Sequence, residues 1–461
     1  MLNTLYLPEL REMLSENDVT GLREFCDALH PARVAEFMEG LDATEMWQVL
    51  EATTPEARAA IFSFLGEARQ VEIVETVGAE GISPLIADLP ADDRVDLLSE
   101  VDQEVMEQTL PLLPQEDRRE TLRLLGYEEG TAGALMTTEV ARLSQTLTVH
   151  DALEAISRNA QNLETVYYNY VVDDHDHLLG LVSARELVMH FNQPDTPINE
   201  IMQRDVVTVL VTDDQEAVAE KVANYNFLAI PVVDHHRKLL GIITHDDIID
   251  VLQEEATEDA HLSAAVDPLE DGYMATPWHT LAWKRGVWLI ALFIAAMLTA
   301  LTLREYEETF DRVSWLVLFI PLVISSGGNT GSQSATLIIR GLTTGDVGLA
   351  DWKRVVRKEL VMGLCLGGAF AVIGYFCAVL LTRHSADPAL AAPTLNEVLV
   401  VPITLLLVVT CGALAGGTLP LVFQRMGLDP ALMSNQFVAG LIDIAGIVIY
   451  MSVAILVVSG L

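Results

Sequence analysis

The stretch DPALMSNQFVAGLIDIAGIVIY (residues 429–450) sets a single acid, Asp443, in the middle of an otherwise apolar run. An ionised carboxylate in hydrocarbon costs at least ~3 kcal/mol on insertion scales, so it should face a bundle interior or a wet cavity. That makes Asp443 a candidate pore residue. The competing reading is an acid that is protonated, or satisfied by a neighbouring helix.

Working outward, residues 281–461 contain five apolar runs, at 286–303, 313–339, 360–382, 398–423 and 431–461. Each reaches the ~18–20 residues needed to cross a bilayer. Residues 1–280 have no such run, and the opening MLNTLYLPELREML lacks the basic-then-apolar layout of a signal peptide. The expectation is a cytosolic half followed by a membrane half. Charge divides the same way: residues 1–280 carry 55 Asp and Glu against 16 Lys and Arg, and residues 281–461 carry 11 of each, so the net −39 sits in the first half. Such a surface repels nucleic acid and anionic lipid and attracts divalent cations; a merely solubilising surface would look the same.

Counting basic residues on alternate sides of the runs gives Lys284, Arg285, Arg340, Lys353, Arg354, Arg357, Lys358 and Arg425 against Arg304, Arg312 and Arg383. That asymmetry places the N-terminus inside and, with five spans, the C-terminus outside. Cys26, Cys365, Cys377 and Cys411 form no CxxC pair and read as small buried hydrophobes.

Residues 1–133 alternate short amphipathic stretches with breaks, and Pro31, Pro55, Pro90 and Pro114 fall where first helical turns would begin. The pattern predicts a small helical solenoid, with Asp92, Asp93 and Asp96 as helix-cap and surface groups first and ion ligands second. Further on, NYVVDDHDHLLGLVSARE (169–186) and AIPVVDHHRKLLGIITHDD (229–247) repeat with a period of 61, pairing Val172 with Val233 and Gly180 with Gly241. The copies resemble tandem CBS domains, α/β modules that sense adenosine nucleotides. In that family a Ser or Thr followed three residues later by an acid holds the ribose, which implicates Ser183 and Glu186, and Thr244 and Asp247, with ATP as the cofactor class. The histidines of DDHDH and DHH read as solvated turn residues.

From 244 to 273 a helical continuation stacks Asp246, Asp247 and Asp250, then Glu254, Glu255, Glu258 and Asp259. Like charges four apart destabilise a helix unless something neutralises them, so this reads as a cation-responsive element, or else as a solvated linker. In the second apolar run, PLVISSGGNTGSQSATLIIRG (321–341) is expected to loosen the helical backbone and line a wet cavity through Gly327, Gly328, Asn329, Gly331 and Gln333. Close packing through small residues is the alternative, and suits Gly412, Gly416 and Gly417. Asp443 reads as the only charge deep within a span. Mg²⁺, which keeps several waters and needs few carboxylates, fits such a site.

Pro321, the GGNxGxQ of 327–333, the SATLIIRG run, the DPA at 429–431 and the D-x-x-G-x-x-x-Y of 443–450 resemble the MgtE family of magnesium channels, and the resemblance covers essentially the whole chain. It implies a multidomain α-helical membrane protein: a helical-solenoid N domain (1–133), tandem CBS domains (134–200 and 201–255), a linker or plug helix (256–280) and five transmembrane helices (281–461). It also implies a homodimer in the bacterial inner membrane, with hydrated Mg²⁺ at Asp443 and Ala439. Mg²⁺ would be both substrate and regulatory ligand, acting at Asp247, Asp250, Glu255, Glu258 and Asp259 of the plug, at Asp214 and Glu216, at Asp429, and at Asp92 and Asp96. Where many members carry SGPF-x-TT, this chain has SNQFVAG (434–440). An ion-coupled exporter and a nucleotide-sensing membrane regulator are the competing functions. No nucleophile, base and orienting group converge, so an enzyme is not expected.

Overall fold

The computed structural model describes residues 6–160, 163–269, 272–274, 276–383 and 397–458. The end of the last expected span (459–461), linker positions 270, 271 and 275, and the Arg383 side chain lie outside what is described. The chain divides into two compact units, residues 1–254 and 255–461.

In the first unit, short α-helices follow one another from Leu7–Glu16 to Gln115–Leu124 around a core that includes Phe37, Met46, Leu50 and Phe62. Pro31 and Pro55 open their helices, where a missing N–H costs nothing. Pro90 and Pro114 stand one residue earlier, flanking α1 (Ala91–Glu100) and the helix Gln115–Leu124. The repeats then form two three-stranded sheets: β1 (Arg142–Ser144), β2 (Tyr168–Val172) and β3 (Leu178–Ser183), then β4 (Val209–Leu210), β5 (Ala229–Val233) and β6 (Leu239–Thr244). In each sheet the first strand is parallel and the third antiparallel to the second. The 61-residue period survives in the register: Val171 pairs with Gly180 and Val232 with Gly241, each next to an irregularity. Both glycines are needed for the same reason, since a Cβ at 180 or 241 would collide with the carbonyl of Gln203 or Thr137 on the segment alongside. Helix α2 (His245–Ser263) continues directly from β6. It therefore begins before the expected linker and stops well short of residue 280.

The second unit holds α3 (Trp278–Glu305), α4 (Ile320–Thr343), α5 (Trp352–Arg383), α6 (Val400–Arg425) and α7 (Asn435–Val457). Among the described residues, the segments Trp278–Glu305, Leu349–Leu381, Glu397–Arg425 and Asn435–Val457 are long and apolar enough to cross a membrane. Helix α4 is long enough but richer in polar residues. Helix α6 is the hub, packed against α4, α5 and α7. Small residues make those approaches possible: a Cβ at Gly412 or Gly416 would overlap the carbonyl oxygen of Gly327 or Gly331, and one at Gly363 or Gly367 would lie 2.8 Å from the α6 backbone at Thr410 or Leu406. The packing reading of Gly412 and Gly416 matches these contacts. The expected loosening of α4 does not: it runs as one α-helix through the GGNxGxQ segment, with Pro321 in its first turn. Close packing on α6 holds the glycines in helical form and offsets their intrinsic cost. The buried Tyr450 hydroxyl donates to the Leu316 carbonyl at 2.9 Å, fixing α7 within this core.

Candidate functional site

Along α7, Asn435, Ala439 and Asp443 recur every four residues and so share a face, and each is half-buried. Alongside runs a polar stripe of α4, with Ser325, Asn329, Gln333 and Thr336 exposed. The two are stitched together at Asn435, whose carbonyl accepts from Ser332 Oγ at 2.8 Å and whose Oδ1 accepts from Thr336 Oγ1 at 2.9 Å. Asp443 Oδ1 and Ala439 each lie 3.4 Å from where a Cβ of Gly328 would be, an ordinary contact distance, so the carboxylate lies against α4 at Gly328. Asp443 forms no hydrogen bond or ion pair among the described residues. Its oxygens remain free to accept from the water shell of a cation.

Two expected lining residues face elsewhere. Gly327 abuts Val408 and Ile442, and Gly331 lies against Val438, Ile442 and the Gly412 carbonyl. Four-residue spacing puts them together on the packed face, leaving Gly328, Asn329 and Gln333 toward the stripe. Asn435 escaped notice in the sequence, although its spacing from Ala439 and Asp443 was the signal. Asp443 is also not the only acid inside: α5 starts before the apolar run at 360, so Glu359 lies within a helix and is 8% exposed.

In residues 6–254 the acids converge instead. A cleft of about 340 Å³ is lined by Glu67, Asp93, Asp96, Asp247, Asp250 and Glu254 together with apolar residues. Asp92 is 8% exposed and its Oδ1 has no hydrogen-bond partner, which corrects the surface reading of that residue. Burial, then the Asp247, Asp93 and Glu164 carboxylates, hold Asp92 well above the usual carboxylate range. Burial and the Asp247 and Glu139 charges push Glu164 up to about 7. Asp247 rises to about 6, through burial and against the lowering effect of Thr244. The nearby cation turns away: Arg94 donates to the Leu89 carbonyl and stands 3.9 Å from Asp117. Among the described residues no three His, Cys, Asp or Glu side chains converge tightly enough to hold an ion by themselves. The cleft is thus a region of mutual repulsion rather than a finished cage.

A second acidic group lies in residues 255–461. Burial and the Asp429 and Glu255 charges push Asp259 up to about 6; Arg340 opposes this and Glu258 adds to it. Asp429 also caps its turn, accepting from Ala431 N–H. Asp214 and Glu216 are not in the cleft: Asp214 caps the helix Gln215–Tyr225, accepting from the Glu216 N–H at 3.0 Å. The two ribose-motif pairs close on themselves. Ser183 and Glu186 form a reciprocal cap, and Thr244 donates to Asp247 through both its N–H (3.1 Å) and its hydroxyl (2.6 Å). In the histidine turns, Asp173 and Asp234 each bind backbone N–H groups of their own loop.

Comparison with known proteins gives this arrangement its class. Residues 320–453 match the family described as divalent cation transporter, residues 29–130 the MgtE intracellular N domain, and residues 132–192 and 198–254 the CBS domain. These define a membrane transporter of divalent cations with intracellular domains attached. The magnesium transporter MgtE of Thermus thermophilus is 41% identical over 335 residues, 73% of this chain and 72% of that protein. The magnesium transporter MgtE of Enterococcus faecalis is 36% identical over 335 residues, 73% and 71%. The chain belongs to the MgtE family. Among solved structures, the soluble part of a magnesium transporter is similar at 36% identity and TM-score 0.51, covering 54% of this chain and 97% of that one. The cytosolic domain of the Mg²⁺ channel MgtE in complex with ATP is similar at 35% identity and TM-score 0.50, covering 52% and 98%.

Proposed function

We propose that the chain is a Mg²⁺ channel of the bacterial inner membrane, conducting past Asp443 and closed by cytosolic Mg²⁺. The observation that carries this reading is the unpaired Asp443 carboxylate lying against Gly328 beside the polar stripe of α4. One carboxylate with amides and hydroxyls around it suits an ion that keeps its waters. Because the stripe is open on its outer side, the pore takes a second copy to enclose it, as a homodimer. Helices α3 to α7 are its five spans, with the N-terminus inside and the C-terminus outside.

Gating follows from the acids. With little Mg²⁺, repulsion among Asp96, Asp247 and Asp250, with the buried Asp92 adding to it at Asp247, opens the cleft; Mg²⁺ screens them and draws it shut. Helix α2 carries the change, and Glu255, Glu258 and Asp259 beside Asp429 respond to the same ion. Asp214 and Glu216 are left out, since neither lines the cleft. ATP is the ligand proposed for the CBS pair, at Ser183, Glu186, Thr244 and Asp247.

Excised-patch recording with internal Mg²⁺ varied tests the reading. Currents are expected to rise as internal Mg²⁺ is removed and to vanish in Asp443→Ala. Full Mg²⁺ current in Asp443→Ala would sink the pore assignment, and currents indifferent to internal Mg²⁺ would sink the gate. Proton-coupled flux without channel currents would favour an exporter.

A further inference from the structure

Glu359 has no part in the cation path described above, yet it is the most enclosed carboxylate among the described residues of 255–461. Its Oε2 accepts a hydrogen bond from Ser334 Oγ at 2.7 Å, and Ser334 is itself 6% exposed. From the other side α6 makes room for it: a Cβ at Gly417 would lie 2.5 Å from Glu359 Cγ. No ion pair is formed by Glu359 among the described residues. A buried carboxylate with one hydroxyl donor and no cation is a poor source of stability.

Its position on α4 is informative. Ser332 and Thr336 bind Asn435 on the front of that helix. Ser334 lies two residues from each, about 200° around the axis, and so on the back. The front pins tie α4 to α7, and the back pin ties it to α5. Between them sits Gln333, on the exposed polar stripe that includes Asn329. Two pins on opposite sides add directional hydrogen bonds to the close glycine packing on α6, and together they fix the rotation of the helix.

We propose that Glu359 is a positioning residue: through Ser334 it holds the rotation of α4, and with it the placement of the exposed Asn329 and Gln333 on the helix that lies against Asp443, so that it governs which cation is accepted without touching one. The role rests on the channel reading for its functional consequence, and on the hydrogen bond alone for its structural one. What it requires of residue 359 is a buried acceptor for Ser334, not a charge.

The test uses the full chain reconstituted in planar bilayers. Glu359→Ala and Ser334→Ala are each expected to lower the Mg²⁺-over-Na⁺ permeability ratio at least fivefold, while Glu359→Gln, which keeps an acceptor, stays within twofold of the parent. An unchanged ratio in Glu359→Ala overturns the proposal, as does a Glu359→Gln protein that behaves like Glu359→Ala, because charge would then be what matters. A second readout needs no current. In a chain with its four cysteines replaced by alanine and Gln333→Cys added, the rate of modification by a water-soluble thiol reagent should change severalfold on Glu359→Ala and not on Glu359→Gln. If the parent carries no Mg²⁺ current but this labelling pattern holds, the channel reading fails and the positioning role stands; an unaltered labelling rate in Glu359→Ala overturns the role whatever the currents do.

Discussion

The two halves of the molecule treat carboxylates in opposite ways. In the first unit, burial first and neighbouring carboxylates second raise the proton affinity of Asp92, Asp93, Asp247 and Glu164, and the Arg94 guanidinium is turned elsewhere. In the second unit, Asp443 stands alone beside a glycine in a tightly packed bundle. On the proposed reading, crowding would make a site that responds to cation concentration, because each neutralised charge relieves several repulsions at once. Isolation, on the same reading, would make a site whose geometry is set by helix packing and whose loss nothing nearby can replace.

If that contrast is right, the largest effect belongs to the solitary acid. Asp443→Asn, which keeps shape and removes charge, should cut Mg²⁺ current by tenfold or more, about 1.4 kcal/mol per decade of rate. No comparable single change in the cleft should abolish current. A cleft variant that did so would erase the distinction.

Next comes packing. In Gly416→Ala the new methyl would meet the Gly331 carbonyl. Overpacking of this kind costs ~1–3 kcal/mol, so the melting temperature of the full chain in detergent should fall by several degrees. The nearby Gly368 has nothing within 4 Å of its Cβ position, and Gly368→Ala should leave the melting temperature unchanged or slightly raised.

The acids around Asp247 should show their crowding through pH. Glu164 at about 7 and Asp247 at about 6 lie above the ordinary carboxylate value near ~4. Between ~4 and about 7 the folded chain therefore binds more protons than the unfolded one, and stability falls as pH rises through that window. Without divalent cations, thermal stability should increase from pH 7.5 to pH 5. Added Mg²⁺ should stabilise more at pH 7.5 than at pH 5. Asp92→Asn should remove part of both effects and raise the metal-free melting temperature by ~2–4 °C, equivalent to ~1 kcal/mol.

Much of this was legible in the sequence where periodicity or burial cost speaks directly. The 61-residue repeat became two sheets of equal register, and the lone acid of 429–450 became a half-buried carboxylate. What was hidden depended on facing. The glycines of GGNxGxQ divide between two sides of one regular helix, which composition cannot show but four-residue spacing can. Glu359 was lost at a segment boundary, although Glu359, Gly363 and Gly367 share one helical face and the two glycines mark it as the side turned to α6. Asp92 read as a cap because Pro90 precedes it; only the fold around α1 buries it.

The smallest predicted effect tests the same contrast from its edge. Asp214 is acidic and follows the cleft-bearing N domain in sequence, yet its carboxylate is spent on the Glu216 N–H at the start of its helix. Asparagine caps a helix about as well as aspartate. Asp214→Asn should therefore shift stability by less than ~0.5 kcal/mol and leave the internal Mg²⁺ concentration for half-closure unchanged, while Asp247→Asn, which also keeps a capping side chain, raises it severalfold. Equal shifts in the two variants would mean that total negative charge sets the gate, and that the crowding of particular carboxylates does not.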